Sequence, residues 1–117
     1  MTSPLFQCLH ILKPKPCPYP LIRVGPSSDG GYLLPDDFSG IYACFSPGND
    51  NRKFFEDHLL RQWRICSYLL DKSSSSEHFE TPLDPAFQFF TKLWLGANSD
   101  LDTITLYDWI LKSNLPP

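Results

Sequence analysis

The stretch from Gly40 to Asp71, GIYACFSPGNDNRKFFEDHLLRQWRICSYLLD, constrains the fold more than any other part of the chain. It opens on GIYACFS (40–46), an uncharged apolar and aromatic run that reads as a strand buried on both faces, and so as a central one. The turn Ser46-Pro47-Gly48-Asn49-Asp50 ends it. Phe54, Phe55, Leu59, Leu60 and Trp63 then recur near the 3.6-residue period, which predicts an amphipathic helix packed on a sheet. That spacing leaves Arg52, Lys53, Asp57, Arg61 and Arg64 for solvent. RICSYLL (64–70) is a second apolar strand, ended by Asp71. Two strands joined through a helix pair in parallel, because a crossover of that length returns the chain in the same direction.

The flanking segments extend this α/β pattern. Residues 3–12, SPLFQCLHIL, predict a short helix with Ser3 as N-cap and Pro4 in its first turn, before KPKPCPYP interrupts regular structure. Residues 1–20 therefore read as a lead-in arm, and a single domain begins at Leu21. LIRVG (21–25) and YLLP (32–35) are short strands around the SSDGG turn, a hairpin. DKSSSSEHFETPLDP is a polar loop of about fifteen residues, whose serines suggest flexible linker chemistry. FQFFTKLWLG (87–96) predicts a third strand, with Phe87, Phe89, Thr91, Leu93 and Leu95 on one face, Phe90 and Trp94 on the other, and both faces buried. Thr105, with Asp108 three residues on, caps a last helix over 106–112.

Composition narrows the partners. Net charge is −3 and no window concentrates lysine or arginine, which argues against nucleic acid. No apolar run approaches the roughly 20 residues that span a bilayer, and the N-terminus lacks a basic head with a cleavage site. The expectation is a soluble, cytoplasmic chain that engages no membrane. Cys8, Cys17, Cys44 and Cys66 form no CxxC pair and read as free buried thiols, and Cys8, His10 and Cys17 fit no zinc module. No metal is expected.

The chemistry concentrates at the glycine turn. Asp71 follows Gly48 by 23 residues, and in nucleotide-binding half-folds an acid about 20 residues past the turn accepts hydrogen bonds from ribose hydroxyls. A lone glycine disfavours a pyrophosphate, which needs close backbone approach, and favours an adenosyl cofactor without phosphates. An ordinary turn with a solvated Asp71 is the plain alternative. His58 and His78 read as solvated surface histidines, and Trp63, Trp94 and Trp109 as core or rim packing.

Taken together, DGGYLLPDDFSGIYACFSPGNDNRKFFEDHLL, YLLDKS and FTKLWLGANSDLDTITLYDWI resemble the FkbM-type branch of the S-adenosylmethionine-dependent methyltransferases over about residues 21–112. The resemblance implies a Rossmann-like, doubly wound α/β fold of three parallel strands with flanking helices, plus the N-terminal arm and β-hairpin. It implies S-adenosylmethionine as cofactor and methyl transfer to an oxygen or nitrogen of a small-molecule or glycan-type acceptor. By position, Ser46, Pro47 and Gly48, with Asn49 and Asp50, match the loop facing the methionine part of the cofactor. Asp71 matches the ribose-binding acid, and Glu56 the acid of the "FE" pair, beside the cofactor or else capping free helix N–H groups. Asp29, Gly30, Gly31 and Tyr32 match the DGGY segment, which either closes the cofactor pocket or is a structural turn.

The family's next strand, with its acidic motif, begins where this sequence stops at Pro117, so residues 21–117 read as a partial domain truncated before the fourth strand. Catalytic residues are not assignable on that reading. GIYACFS then becomes an edge strand, and self-association or a second chain covering it is expected. The alternative to an enzyme is a non-catalytic half-domain acting as an interaction module, or an inactive relic.

Overall fold

The computed structural model describes residues 3–116. The chain is mixed α/β, with elements in the order α1 (Pro4–Ile11), β1 (Leu21–Val24), β2 (Tyr32–Pro35), β3 (Ala43–Pro47), α2 (Phe54–Trp63), β4 (Cys66–Leu70), β5 (Gln88–Thr91), β6 (Trp94–Leu95), β7 (Thr103–Ile104) and α3 (Leu106–Lys112). β3, β4 and β5 form a parallel three-stranded sheet in that spatial order, with Ala43 opposite Cys66 and Ser67 opposite Gln88. That is the strand order of one half of a doubly wound sheet. β1 and β2 form the expected antiparallel hairpin, and β6 pairs with β7 in parallel as a separate two-stranded ribbon.

Each face of the sheet has its own apolar cluster, as alternation along the strands requires. On the α2 face, Val24 of the hairpin, Leu59 of α2 and Ile65 are buried together, with Cys44, Phe55 and Trp63 packed against them. On the α3 face, Leu70, Ile104 and Trp109 are buried, with Phe45, Tyr68 and Leu93 against them. Phe45 stacks on Tyr68 at 5.0 Å between ring centroids and meets Trp109 edge-on at 4.9 Å. Ser3 and Thr105 cap their helices as expected, Ser3 Oγ accepting from Phe6 N–H and Thr105 Oγ1 from Asp108 N–H.

Several expectations are corrected. The strand foreseen over 40–46 begins at Ala43, and Gly40 (φ +79°) lies in a turn before it. It is not central but lies at the edge of the sheet, where the reading of residues 21–117 as a partial domain puts it, and β4 is central, because nothing in the described chain pairs with the other side of β3. The strand foreseen over 87–96 breaks after Thr91 into β5 and β6. Its two faces are not both buried, since Phe89, Trp94 and Leu95 are all exposed. Trp94 is thus rim, whereas Trp109 is core. Cys8 and Cys17 are exposed rather than buried, and Cys44 and Cys66 half-buried.

The polar side of α2 is also less solvated than its spacing suggests. Lys53 is only 1% exposed and its Nζ donates to Asp57 Oδ1 at 2.6 Å. Asp57 also accepts from Thr81 Oγ1 at 2.6 Å and Gln88 Nε2 at 2.8 Å, which ties the start of α2 to the serine loop's far end and to β5. Burial alone would push the Asp57 carboxyl up, but the Lys53, Thr81 and Gln88 bonds outweigh it and hold it below the ordinary range. Phe54, expected inside, is partly exposed.

His58 is not a surface histidine. Its Nδ1 accepts from Gly25 N–H at 3.0 Å and its ring stacks on Trp63, itself stacked on Phe38 at 3.9 Å. The imidazole thus joins α2 to the hairpin. His58→Phe keeps a ring on Trp63 but leaves the Gly25 N–H without an acceptor, so it should cost about 1–2 kcal/mol in urea unfolding. A variant as stable as the native chain would remove this linking role.

Candidate functional site

A cleft of about 380 Å³ opens at the C-terminal end of β3, between the 46–50 loop, the first turn of α2 and the turn of the hairpin. This is where ligands bind in open α/β sheets, outside the carboxyl ends of the strands, and the volume lies within the roughly 300–1,000 Å³ of small-molecule sites. Nine of the residues foreseen from the sequence line it: Ser46, Pro47, Gly48, Asn49 and Asp50 of the loop, Glu56 of α2, Asp29 and Gly30 of the hairpin turn, and Tyr32 at the start of β2.

The loop is held from below. Asp71, buried at the end of β4, takes Asn49 N–H at 2.8 Å and Asp50 N–H at 2.7 Å on Oδ2. Its Oδ1 takes Ser73 N–H at 2.8 Å and Ser73 Oγ at 2.6 Å. Asp71 does not line the cleft, and both its oxygens are already engaged by protein donors. Burial by itself would raise this carboxyl's pKa, but the hydrogen bonds from Ser73, Asp50 and Ser74 prevail and bring it to about 2.

This anchoring has a conformational purpose. Asp50 and Asn51 both adopt left-handed φ, +49° and +58°, a conformation that costs a non-glycine residue roughly 1–2 kcal/mol. The carboxylate and the serine run compensate. Ser74 is buried with its Oγ accepting from Asn51 N–H at 2.9 Å, Ser75 N–H donates to Asn51 Oδ1 at 3.0 Å, and Lys92 Nζ donates to Ser74 O. The SSSS segment is therefore a latch on the loop rather than a flexible linker. No spacing rule announces this, because the match depends on backbone donors that only the folded turn presents.

Inside the cleft the polar groups form a chain. Asn49 Nδ2 donates to Ser46 Oγ at 3.1 Å, and Ser46 Oγ donates to Glu56 Oε1. Asn49 Oδ1 has no partner, one of two such buried side-chain atoms among the described residues, the other being Ser67 Oγ inside β4. Glu56 is 5% exposed, and burial pushes its carboxyl above the ordinary range despite the opposing Ser46 bond. Among the charged lining residues Asp29, Asp50 and Glu56 face one cation, Arg52, which is already bridged to Glu80 at 2.9 Å. The cleft is acidic.

Gly48 has φ +75° and a Cβ there would meet nothing within 4 Å, so the glycine leaves open space over the loop. Gly31 behaves differently. It does not line the cleft, and a Cβ on it would lie 1.9 Å from Pro26 O, so it serves the close approach of the hairpin turn to itself. Arg23 reinforces that turn by donating from Nε to Pro26 O at 2.7 Å and from Nη2 to Ser28 O at 3.1 Å. Within DGGY, Gly31 thus shapes the turn, and Tyr32 stands at one side of the cleft with its ring edge-on to Phe55 at 5.6 Å.

The sequence reasoning missed Pro26, Cys44, Phe45, Arg52, Phe54 and Phe55, which complete the lining. Phe54 and Phe55 carried a signal, since they stand in the first turn after the glycine loop. Burial, with the Glu56 charge beside it, pushes the Cys44 thiol up to about 11, which disfavours the thiolate. Among the described residues no three His, Cys, Asp or Glu side chains are grouped to hold a metal ion, and no helix is long and apolar enough to cross a membrane. No family model, curated protein or solved structure matches the chain.

Proposed function

We propose that the cleft holds S-adenosylmethionine and that the chain is the cofactor-binding part of an S-adenosylmethionine-dependent methyltransferase of the FkbM type. The observation that carries this reading is the acidic, phosphate-averse lining over an open glycine. Three carboxylate residues against one already paired arginine suit a ligand with a sulfonium and an ammonium and repel a pyrophosphate. Asn49 Oδ1 and Glu56 are acceptors with capacity left for a cationic donor. The space above Gly48 admits the ligand's approach to the loop.

When bound, the cofactor supplies a methyl group activated at sulfur for transfer to an oxygen or nitrogen of a small-molecule or glycan-type acceptor. The chain's own part is positioning. Asp71 contributes by setting the loop rather than by taking ribose hydroxyls, since its oxygens are engaged. A second reading, a non-catalytic interaction module, draws support from the unpaired edge of β3.

Calorimetric titration with S-adenosylmethionine separates the two. Saturable one-to-one binding is expected for the native chain. Gly48→Asn, a residue that tolerates left-handed φ, should fold normally yet fill the open space and weaken binding roughly tenfold (~1.4 kcal/mol). No binding by the native chain at millimolar ligand would leave the interaction module standing and the cofactor reading overturned.

A further inference from the structure

Arg52 is the one cation among the residues described as lining the cleft, and only one edge of its guanidinium is engaged. Nε donates to Glu80 Oε1 at 2.9 Å, while among the described residues Nη1 and Nη2 donate to nothing. Neither Asp29 nor Asp50 pairs with it among the described ion pairs. The Glu80 bond and charge, with smaller pulls from Asp50 and Asp29, hold the guanidinium's pKa above its ordinary value, so it stays charged. With Nε taken, the edge formed by Nη1 and Nη2 is left, and its two parallel N–H groups match the oxygens of a carboxylate.

The backbone sets this cation beside an acceptor. Arg52 N–H donates to Asn49 O at 3.0 Å, which closes a four-residue turn over the left-handed Asp50 and Asn51. The Cα atoms at the two ends of such a turn lie within about 7 Å of each other. Asn49 is 8% exposed, and its Oδ1 is the buried acceptor without a partner. A guanidinium with a free edge and an amide oxygen with free lone pairs therefore stand at the two ends of one turn, both in the cleft lining. An α-amino acid carries its carboxylate and its ammonium on one carbon, and this pair of groups is its complement. Charge decides which way round such a ligand sits. Asp29, Asp50 and Glu56 repel a carboxylate, so in this cleft Arg52 is the one charged lining residue that can receive it.

We infer that Arg52 is the specificity-determining residue of the cleft, its free guanidinium edge taking the carboxylate at the ligand's amino-acid end while Asn49 Oδ1 takes the ammonium beside it. The inference rests on the S-adenosylmethionine reading and adds to it a selection for the zwitterion. A ligand that lacks the carboxylate leaves Arg52 facing only positive charge.

Calorimetric titration of the full 117-residue chain with S-adenosylmethionine and with decarboxylated S-adenosylmethionine tests this, because the two ligands differ only in the carboxylate. The native chain should bind S-adenosylmethionine about five- to tenfold more tightly, a ratio between those of exposed and buried charged hydrogen bonds. Arg52→Gln should weaken S-adenosylmethionine by about that factor and leave the decarboxylated ligand unchanged or tighter, so that the preference disappears. S-adenosylhomocysteine keeps the carboxylate and lacks the sulfonium, and it should lose as much as S-adenosylmethionine does. Arg52→Lys keeps the charge without the fork and should retain part of the preference; it also serves if Arg52→Gln fails to fold. Equal native affinity for the two ligands, or an Arg52→Gln loss shared by the decarboxylated one, overturns the inference and leaves the cofactor reading standing. A native chain that binds neither ligand overturns the cofactor reading and this inference with it.

Discussion

Asp71→Ala is expected to lower the unfolding free energy by about 3 kcal/mol or more, through the loss of a buried acceptor that serves four donors. For a chain of this size that corresponds to a melting temperature lower by more than about 10 °C. The loss arises twice over. Asn49 and Asp50 N–H are left without an acceptor, and the left-handed backbone at Asp50 and Asn51 loses what holds it. Asp71→Asn keeps the shape but turns an NH₂ toward N–H donors on one side, so it should recover only part of the loss. The acid dependence has a definite sign. A carboxyl depressed from 3.8 to about 2 contributes stability that is complete above pH 4 and fades as the pH falls through 2. Native and Asp71→Ala urea midpoints should therefore converge between pH 4 and pH 2. A loss below about 1 kcal/mol, or curves that stay parallel through that window, would show that the loop is held by something else.

The elements that could be read from the sequence are those whose signal is local. Period 3.6 in Phe55, Leu59 and Trp63 fixed α2, the Ser3 and Thr105 caps fixed the starts of α1 and α3, and the hairpin followed from two short apolar runs around glycines. The parallel pairing of β3 with β4 followed from the crossover between them. What could not be read depends on contacts distant in sequence. Lys53 looks like a solvent-facing residue because its partner network runs through Asp57 to Thr81 and Gln88, some thirty positions away. His58 looks polar because the Gly25 N–H it accepts from lies on another element. The break between β5 and β6 has the same origin: β6 leaves the main sheet to pair with β7, a two-residue strand too short to carry a period.

The candidate site divides the same way. Gly48, Asn49 and Glu56, which the family resemblance assigned to one site, line one cleft, because a strand, turn and helix in sequence bring the strand end and the first helical turn together. Asp71 was found by its spacing, but its orientation was not legible. Position along a strand places a Cα, and the side chain's engagement depends on which backbone donors the neighbouring turn aims at it. The serine run was the least legible part, since composition describes its polarity and says nothing of the Asn51 groups it satisfies.

Glu56→Gln should move stability and ligand affinity in opposite directions. In the free chain Glu56 is a buried acid whose only hydrogen bond to another side chain among the described residues comes from Ser46, and burial raises its pKa above the ordinary 4.5. With the folded-state value raised, its favourable contribution is complete below the unfolded pKa and is lost as the pH climbs through the folded one. A neutral amide of the same shape accepts from Ser46 Oγ without that loss. Glu56→Gln is therefore expected to match the native chain near pH 4 and to be up to about 1 kcal/mol more stable at pH 7. Affinity for S-adenosylmethionine should fall between about 30- and 100-fold at pH 7, because a carboxylate as buried as Glu56 facing a cation contributes roughly 2–3 kcal/mol. The same removal of charge should leave 5′-methylthioadenosine, which has neither ammonium nor sulfonium, almost unaffected. Paired melts at pH 4 and 7, with titrations of both ligands at pH 7, test this. A variant less stable at pH 7 makes Glu56 a structural acid, and equal losses for the two ligands make its effect one of cleft shape rather than charge.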